Sequence, residues 1–170
     1  MDLKSFIRDI PDFPVKGIIF KDVTPVILDP YAFKYAVDKM SEDFDFSKID
    51  KIAGIESRGF IFGIAIANKF NKGFIPIRKK GKLPYKTYME TYSLEYGTAT
   101  IEMHTDAVSK GENILLVDDL LATGGTMKAA AKLIEKAGGK VVGTSFLIEL
   151  DFLNGRNNLE NYKISSIIHF

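Results

Sequence analysis

Residues 114–126 read Ile-Leu-Leu-Val-Asp-Asp-Leu-Leu-Ala-Thr-Gly-Gly-Thr, so an apolar run is followed by two carboxylates and a glycine-rich turn. The run 114–117 is short and enclosed by polar residues, which is typical of a strand buried on both faces of a parallel sheet. Ligands of open α/β sheets bind beyond the carboxyl ends of the strands. Asp118 and Asp119 follow the run directly, so we expect them to emerge at such a binding edge.

The turn at 122–126 leads into residues 127–137, which are rich in strong helix formers. Glycines let several backbone N–H groups converge, and a helix N-terminus carries about half a positive charge. The turn therefore predicts a phosphate site, although a capped strand-to-helix turn without a ligand is the alternative. Two neighbouring carboxylates beside an anion favour a ligand with hydroxyl groups and a divalent cation. A ribose phosphate with Mg²⁺ supplies both.

Apolar or β-branched runs alternate with helical patterns along the rest of the chain. This βαβ rhythm predicts a single α/β domain over residues 1–170, with a mostly parallel five-stranded sheet flanked by helices. The predicted strands are 51–55, 73–77, 114–117, 141–148 and 164–168. The predicted helices are 31–43, 59–70 and 126–137.

Two segments interrupt the rhythm. Residues 11–30 contain four prolines and predict a stiff cover, or hood, within about residues 1–30. Residues 78–105 begin with a basic run, which alone is usually a solvated charge cluster, and continue with strand-like runs 92–96 and 99–105 that predict a hairpin. A connection of this length inside a compact domain is usually a lid or a binding loop.

The composition excludes several classes of protein. Basic and acidic residues number 23 and 22, so no overall field recruits a nucleic acid. The sequence has no cysteine, which fits a reducing compartment, and the cytoplasm is the expected location. It has neither an apolar signal region nor the run of about 20 apolar residues that crosses a membrane. His104 and His169 lack partners at metal-ligand spacing in the sequence.

A second strand-to-helix junction lies at residues 54–60, which read Gly-Ile-Glu-Ser-Arg-Gly-Phe. Backbone N–H groups and Arg58 could hold a pyrophosphate or part of a base there. A helix cap made by Ser57, with Arg58 solvated, explains the same residues equally well. The chain has no G-x-G-x-x-G motif at this junction and no Walker-type G-K-[ST] motif. The sequence motifs of nicotinamide-binding and NTP-binding sites are therefore absent.

Residues 117–126 resemble the phosphoribosyl pyrophosphate (PRPP) motif of the type I phosphoribosyltransferases. Further segments narrow the resemblance to the branch of that family that uses adenine as its acceptor: 11–14, 17–22, 56–60, 78–84 and 92–97. The resemblance covers nearly the full length of the chain. It implies the type I phosphoribosyltransferase fold, a homodimer, and transfer of the phosphoribosyl group of PRPP to N9 of adenine, which gives AMP and pyrophosphate in purine salvage.

The resemblance also implies roles for individual residues. Asp118 and Asp119 would bind the ribose hydroxyls near Mg²⁺, which is held mainly through PRPP rather than by a dedicated set of protein ligands. The implied 5′-phosphate site is Ala122, Thr123, Gly124, Gly125 and Thr126. The implied pyrophosphate site is Ser57, Arg58, Arg78, Lys79 and Lys82, with the last three supplied across the dimer interface.

For the base, the resemblance implies that Ile19 and Lys21 present backbone groups to adenine, that Phe20 and Leu150 sandwich its ring, and that Arg58 contributes. From the residues alone, plain core packing is the commoner role for Phe20 and Leu150. Glu95 in the lid is the implied acid/base, because Ala122 stands where the hypoxanthine-guanine relatives have an aspartate. Without the family, Glu95 reads as an exposed hairpin carboxylate.

Two other functions remain open on the sequence. A phosphoribosyltransferase for xanthine or another purine also tolerates alanine at position 122. A regulatory protein that senses PRPP and binds nucleic acid could share the fold, but residues 1–50 offer neither the length nor the charge of a DNA-binding module.

Overall fold

A computed structural model of the chain describes residues 1–94 and 97–170. The strands are β1 Arg8–Pro11, β2 Ile19–Asp22, β3 Lys51–Ile55, β4 Gly73–Lys79, β5 Thr87–Ser93, β6 Thr98–His104, β7 Asn113–Leu121, β8 Lys140–Glu149 and β9 Ile164–His169. The α-helices are α1 Thr24–Leu28, α2 Pro30–Ser41, α3 Arg58–Lys69 and α4 Gly125–Lys136. Short 3-10 turns cover Leu3–Phe6, Phe46–Lys48, Asp151–Leu153 and Gly155–Asn158.

The main sheet has seven strands in the order β5-β6-β4-β3-β7-β8-β9. Strands β4, β3, β7, β8 and β9 are parallel, and they confirm the five predicted strands. The sheet is wider than predicted because the hairpin β5–β6 joins it through antiparallel pairing of β6 with β4. The base of the predicted lid is therefore an extension of the sheet.

Helices cover both faces of the sheet and create two apolar cores. Helices α2 and α3 pack on one face, and α4 packs on the other. Strand β7 serves both cores, since Leu115 and Val117 face α2 and α3 whereas Ile114 and Leu116 face α4. All four side chains are fully buried, which confirms the double-sided burial expected for this run. Among the described residues, no helix is long and apolar enough to cross a membrane.

Strand β7 is longer than the apolar run suggested. Asp118 pairs with Phe146 of β8, and Leu121 pairs with Glu149, so the strand continues through the acidic pair. The expectation that Asp118 and Asp119 emerge after the strand is therefore wrong in detail. The extended partner β8 supplies the hydrogen bonds that keep these polar residues in a strand.

The hood consists of the antiparallel pair β1–β2 followed by α1. Its N-terminal part is attached to the end of β9, because the Lys4 ammonium donates to the His169 carbonyl at 2.6 Å. The ammonium of Lys21 lies 3.9 Å above the centre of the Phe170 ring. These contacts hold the hood beside the carboxyl ends of β8 and β9.

Candidate functional site

A cleft of about 450 Å³ lies at the carboxyl ends of β3, β4 and β7. Carboxylates, cations and hydroxyl groups from separate parts of the chain meet in it. The cleft is lined by Ile55, Glu56, Ser57, Arg58, Lys79, Lys82, Tyr92, Ile101, Asp118, Asp119, Leu120 and Thr126.

The acidic pair forms the floor of this cleft. Asp119 is buried, and the Nε of Arg58 donates to its Oδ2 at 2.5 Å. The backbone N–H of Asp119 donates to Oδ1 of Asp118 at 2.9 Å. Burial, and then the neighbouring charge of Asp119, raise the pKa of Asp118 well above its ordinary value. Arg58 thus pairs with Asp119, while Asp118 receives a backbone hydrogen bond, which leaves the two carboxylates suited to hydroxyl donors or a further cation.

The N-terminus of α3 approaches the acidic pair closely. A Cβ atom at Gly59 would lie 2.7 Å from Oδ1 of Asp118 and 3.1 Å from the carbonyl oxygen of Val117, so only glycine fits there without displacement. Ser57 occupies the N-cap position of α3, but its side chain makes no capping hydrogen bond. The alternative in which Ser57 caps the helix and Arg58 is solvated is therefore wrong, since Arg58 is paired with Asp119.

Glu56 holds residues of the basic run 78–82 at the rim of the cleft. It accepts hydrogen bonds from the backbone N–H of Lys79, from Nζ of Lys82 at 3.1 Å and from Arg78 at 3.3 Å. Burial raises the pKa of Glu56, but these donors outweigh it and hold the pKa below the ordinary value. Lys79 and Lys82 line the cleft of their own chain, whereas the Arg78 guanidinium turns to Glu56 and to the Lys82 carbonyl. The predicted cation cluster thus forms within one chain.

The glycine-rich turn closes the other side of the cleft. Gly124 has φ +81°, the left-handed conformation that favours glycine, and α4 begins at the next residue. A small cavity of about 80 Å³ lies inside the turn, and Thr123, Thr126 and Asp118 are among the residues that line it. The helix N-terminus and the turn therefore face the acidic pair, as the sequence predicted.

The hairpin packs on α4 beside this turn. The hydroxyl of Thr126 donates to the Tyr92 hydroxyl at 3.0 Å, and Lys132 pairs with Glu90 at 3.4 Å. These contacts place the β5 strand next to the predicted phosphate site. Glu95, the predicted acid/base, lies outside the described residues.

The predicted base-binding residues divide between the hood and the end of β8. The Arg58 guanidinium lies 5.1 Å from the centre of the Phe20 ring, so Phe20 is brought to the cleft. Lys21 directs its side chain to Asp9 at 2.7 Å and to the Phe170 ring, which leaves only its backbone for a ligand.

The remaining two predicted base-binding residues lie on either side of this region. Ile19 is 57% exposed, at the start of β2. Leu150 follows β8, and its N–H donates to the Leu121 carbonyl at 3.0 Å. Leu150 is therefore held beside the last residue of β7.

Residues 150–158, which we call the C-terminal segment, begin with the predicted Leu150, but the sequence did not predict a role for residues 151–158. The side-chain amide of Asn158 donates to the Thr123 carbonyl at 2.7 Å, so this segment touches the predicted phosphate turn. Asn and Gly are ordinary loop residues, and nothing in their spacing signals this contact.

The fold also gives His169 partners that the sequence hid. His169 lies 2.8 Å from Asp151 and 3.9 Å from Glu149. The Glu149 carboxylate already receives two hydrogen bonds from Arg156, so this cluster has its own cation. His104 accepts from the backbone N–H of Tyr85 at 3.3 Å. His104 thus has a backbone partner, and His169 belongs to a side-chain cluster.

Comparison with known proteins agrees with this geometry. The family model described as "Phosphoribosyl transferase domain" matches residues 26–167. The chain is 58% identical to an adenine phosphoribosyltransferase of Brachyspira hyodysenteriae over 170 residues, which covers 100% of both chains. The chain belongs to the phosphoribosyltransferase family, in its adenine branch.

Solved structures support the same assignment. The adenine phosphoribosyltransferase of Thermoanaerobacter pseudethanolicus is similar with a TM-score of 0.96 and 51% identity, and the match covers 99% of this chain and 98% of that one. The Saccharomyces cerevisiae enzyme, solved with an imino-altritol bisphosphate and adenine, is similar with a TM-score of 0.93 and 38% identity over 98% and 96% of the two chains. An adenine phosphoribosyltransferase transfers the phosphoribosyl group of PRPP to N9 of adenine and releases pyrophosphate, and this is the function of the chain.

Proposed function

We propose that the cleft between α3, the glycine-rich turn and the hairpin is the site at which this phosphoribosyltransferase binds PRPP and adenine. The observation that carries the proposal is the meeting of the acidic pair, the phosphate turn and the basic rim in one cavity. Each of these groups meets one demand of the reaction.

The turn Ala122–Thr126 binds the 5′-phosphate. The left-handed Gly124 and the N-terminus of α4 offer backbone N–H groups and a partial positive charge. The Thr123 and Thr126 hydroxyls add donors. Ala122 contributes no side-chain charge, so nothing in the turn repels the phosphate.

Asp118 and Asp119 bind the ribose hydroxyls. A carboxylate accepts hydrogen bonds from the 2′- and 3′-hydroxyls of the sugar, which stabilises its ionised form against the burial and the neighbouring charge that raise the pKa of Asp118. Departure of pyrophosphate leaves positive charge on the ribose, and nearby carboxylates stabilise that charge.

Ser57, Arg58, Lys79 and Lys82 bind the pyrophosphate, because all four line the cleft on the side of α3 and the basic rim. Arg78 does not line the cleft and acts indirectly, through its salt bridge with Glu56. The role of a partner chain is a separate part of the proposal: the family resemblance implies a homodimer, whereas Lys79 and Lys82 already reach the cleft of their own chain.

Adenine lies against Phe20 and Leu150, with the backbone of Ile19 and Lys21 at its polar edge. Support comes from the ring of Phe20 beside the Arg58 guanidinium, and from the Lys21 side chain, which is engaged with Asp9. A flat ring between two apolar side chains gains stacking and burial, while backbone groups read its donors and acceptors. The adenine bound in the yeast relative shows that the fold accommodates this base.

Glu95 is the acid/base group for the proton of the purine imidazole ring as N9 attacks C1′. The turn supplies no carboxylate at position 122, so the group must come from elsewhere, and the hairpin that carries Glu95 packs beside the turn. When the lid covers the cleft, it excludes water that would otherwise hydrolyse PRPP.

Mg²⁺ fits this donor set, because Arg58 pairs with Asp119 and, among the described residues, the adjacent Asp118 carboxylate has no salt bridge. Asp118 and Asp119 would lie near the ion, which is held mainly by PRPP itself. When bound, the ion would supply positive charge to offset that of the pyrophosphate leaving group. The cysteine-free composition supports a cytoplasmic enzyme of purine salvage.

Incubation with PRPP, Mg²⁺ and each of adenine, hypoxanthine, guanine and xanthine tests the choice of base. We expect AMP formation to exceed every other product, whereas equal or faster use of xanthine would overturn the adenine assignment. Omission of Mg²⁺ is expected to abolish turnover. A sizing measurement of the same sample tests the homodimer, and a monomer with full activity would remove the partner from the mechanism.

A further inference from the structure

The C-terminal segment connects the two ends of the proposed substrate site. It begins at Leu150, which we have assigned to the base, and it ends at Asn158, which contacts the turn assigned to the 5′-phosphate. Adenine and phosphate lie at opposite ends of AMP, so one short segment spans the length of the product.

The segment packs directly on the phosphate turn. A Cβ atom at Gly124 would lie 2.4 Å from the Gly155 carbonyl oxygen, and one at Gly155 would lie 2.2 Å from the Ala122 carbonyl oxygen. The two backbones therefore approach as closely as glycine allows. The Asn158 amide completes this contact through the 2.7 Å hydrogen bond to the carbonyl of Thr123.

Hydrogen bonds of charged groups fix the segment to the sheet. Arg156 donates to the two carboxylate oxygens of Glu149, with Nε and Nη2 each at 2.7 Å, and Nη2 also donates to Ser166 at 2.8 Å. The Glu149 side chain is 5% exposed and lies immediately before Leu150. Such a two-point pair fixes orientation as well as distance, because both partners are planar.

We propose that the C-terminal segment positions both ends of the substrate: Asn158 aligns the phosphate turn, and the Arg156–Glu149 pair holds Leu150 and Asn158 at a fixed separation. Asn158 and Arg156 are positioning residues, since they act through Thr123 and Leu150. This role rests on the proposed assignment of the turn to the 5′-phosphate and of Leu150 to the base.

The first test compares Asn158→Leu with Asn157→Leu, an identical change at the neighbouring exposed residue. Leucine preserves the approximate size of the side chain and removes the amide donor. We expect Asn158→Leu to raise the KM for PRPP by about three- to tenfold, the equivalent of one typical hydrogen bond, with kcat and the KM for adenine near wild-type values. Asn157→Leu should match the wild type in all three constants.

The second test is Arg156→Lys, which keeps the charge but loses the two-point geometry. We expect it to raise the KM for adenine and the KM for PRPP together. A merely structural role would lower the melting temperature and the active fraction without changing either KM, so thermal melts and active-site titration are measured on every variant.

Thr126→Val separates failure of this proposal from failure of the site assignment. If Thr126→Val raises the KM for PRPP while Asn158→Leu behaves like Asn157→Leu, the turn binds phosphate and the positioning role is refuted. If Thr126→Val also leaves the KM for PRPP unchanged, the assignment of the turn fails and the positioning role fails with it.

Discussion

Gly59→Ala is expected to lower kcat/KM for PRPP without unfolding the enzyme. The added Cβ would lie 2.7 Å from the Asp118 carboxylate oxygen, so this oxygen must retreat by about 0.7 Å to reach the 3.4 Å of an ordinary contact. The carbonyl of Val117 and the Cα of Asp118, at 3.1 and 3.2 Å, must also yield. Both belong to the central strand β7, which is paired on both sides and resists movement.

The stability cost is modest, because two effects oppose each other. Overpacking a well-packed site costs about 1–3 kcal/mol, while alanine in place of glycine in a helix gains about 1 kcal/mol. We expect a net loss of about 0–2 kcal/mol in the free energy of unfolding. Displacement of a group that positions substrate by about 1 Å can cost about a hundredfold in rate, so a shift of this size should lower kcat/KM for PRPP by about 10- to 100-fold.

Gly63→Ala is the matched control on the same helix. Its Cβ would meet the Phe74 ring at 2.7 Å rather than the backbone of β7, so overpacking occurs away from the acidic pair. Urea denaturation and steady-state kinetics are measured on both variants. A Gly59→Ala enzyme with the kcat/KM of Gly63→Ala would refute the reasoning that the approach of α3 sets the position of Asp118.

Three further substitutions test the charges and the lid. Burial raises the pKa of Asp118 in the folded protein above the ordinary value of 3.8. Ionisation of Asp118 therefore destabilises the fold as the pH rises from 3.8 through the raised pKa. Asp118→Asn should therefore resist urea better than the wild type at about pH 7 but not below the ordinary pKa, while its KM for PRPP rises. The pKa of Glu56 in the folded protein is held below the ordinary value of 4.5. Ionised Glu56 therefore stabilises the fold above pH 4.5, and this stabilisation is lost as the pH falls through the lowered pKa. Glu56→Gln should accordingly lose about 1–3 kcal/mol at about pH 7 and little in acid, as urea melts at both pH values would reveal. Tyr92→Phe removes the partner of the Thr126 hydroxyl and should raise the KM for PRPP by about three- to tenfold at constant kcat, whereas a wild-type KM would show that the hairpin does not orient the turn.

The parallel sheet was predictable because its central strands, β3, β7 and β8, are buried on both faces. Runs such as 114–117 are apolar throughout, and the residues that follow them are polar where the chain leaves the core. The glycine-rich turn was predictable for a related reason, since Gly124 must adopt a conformation that other residues rarely take. Local sequence carries both signals.

Features set by distant partners were not predictable. Strand β7 continues through Asp118 because Phe146 of β8 lies opposite it, and the hairpin joins the sheet because β6 meets β4 at Arg78 and Lys79. The contact of Asn158 with Thr123 joins residues 35 positions apart. Neither propensity nor periodicity reports such pairings, since both describe only neighbours in the chain.

The contacts that hold the C-terminal segment on the sheet also determine when the site is completed during synthesis of the chain. Arg156 and Glu149 both bond Ser166 of β9, and the N–H of Asp151 donates to the Phe170 carbonyl. A nascent chain whose β9 still lies inside the ribosome has the glycine-rich turn and the acidic pair, but it lacks these anchors. Synthesis proceeds at roughly 5–20 residues per second, so the last strand emerges soon afterwards. A chain stalled before residue 164 should therefore withdraw little PRPP from the cell.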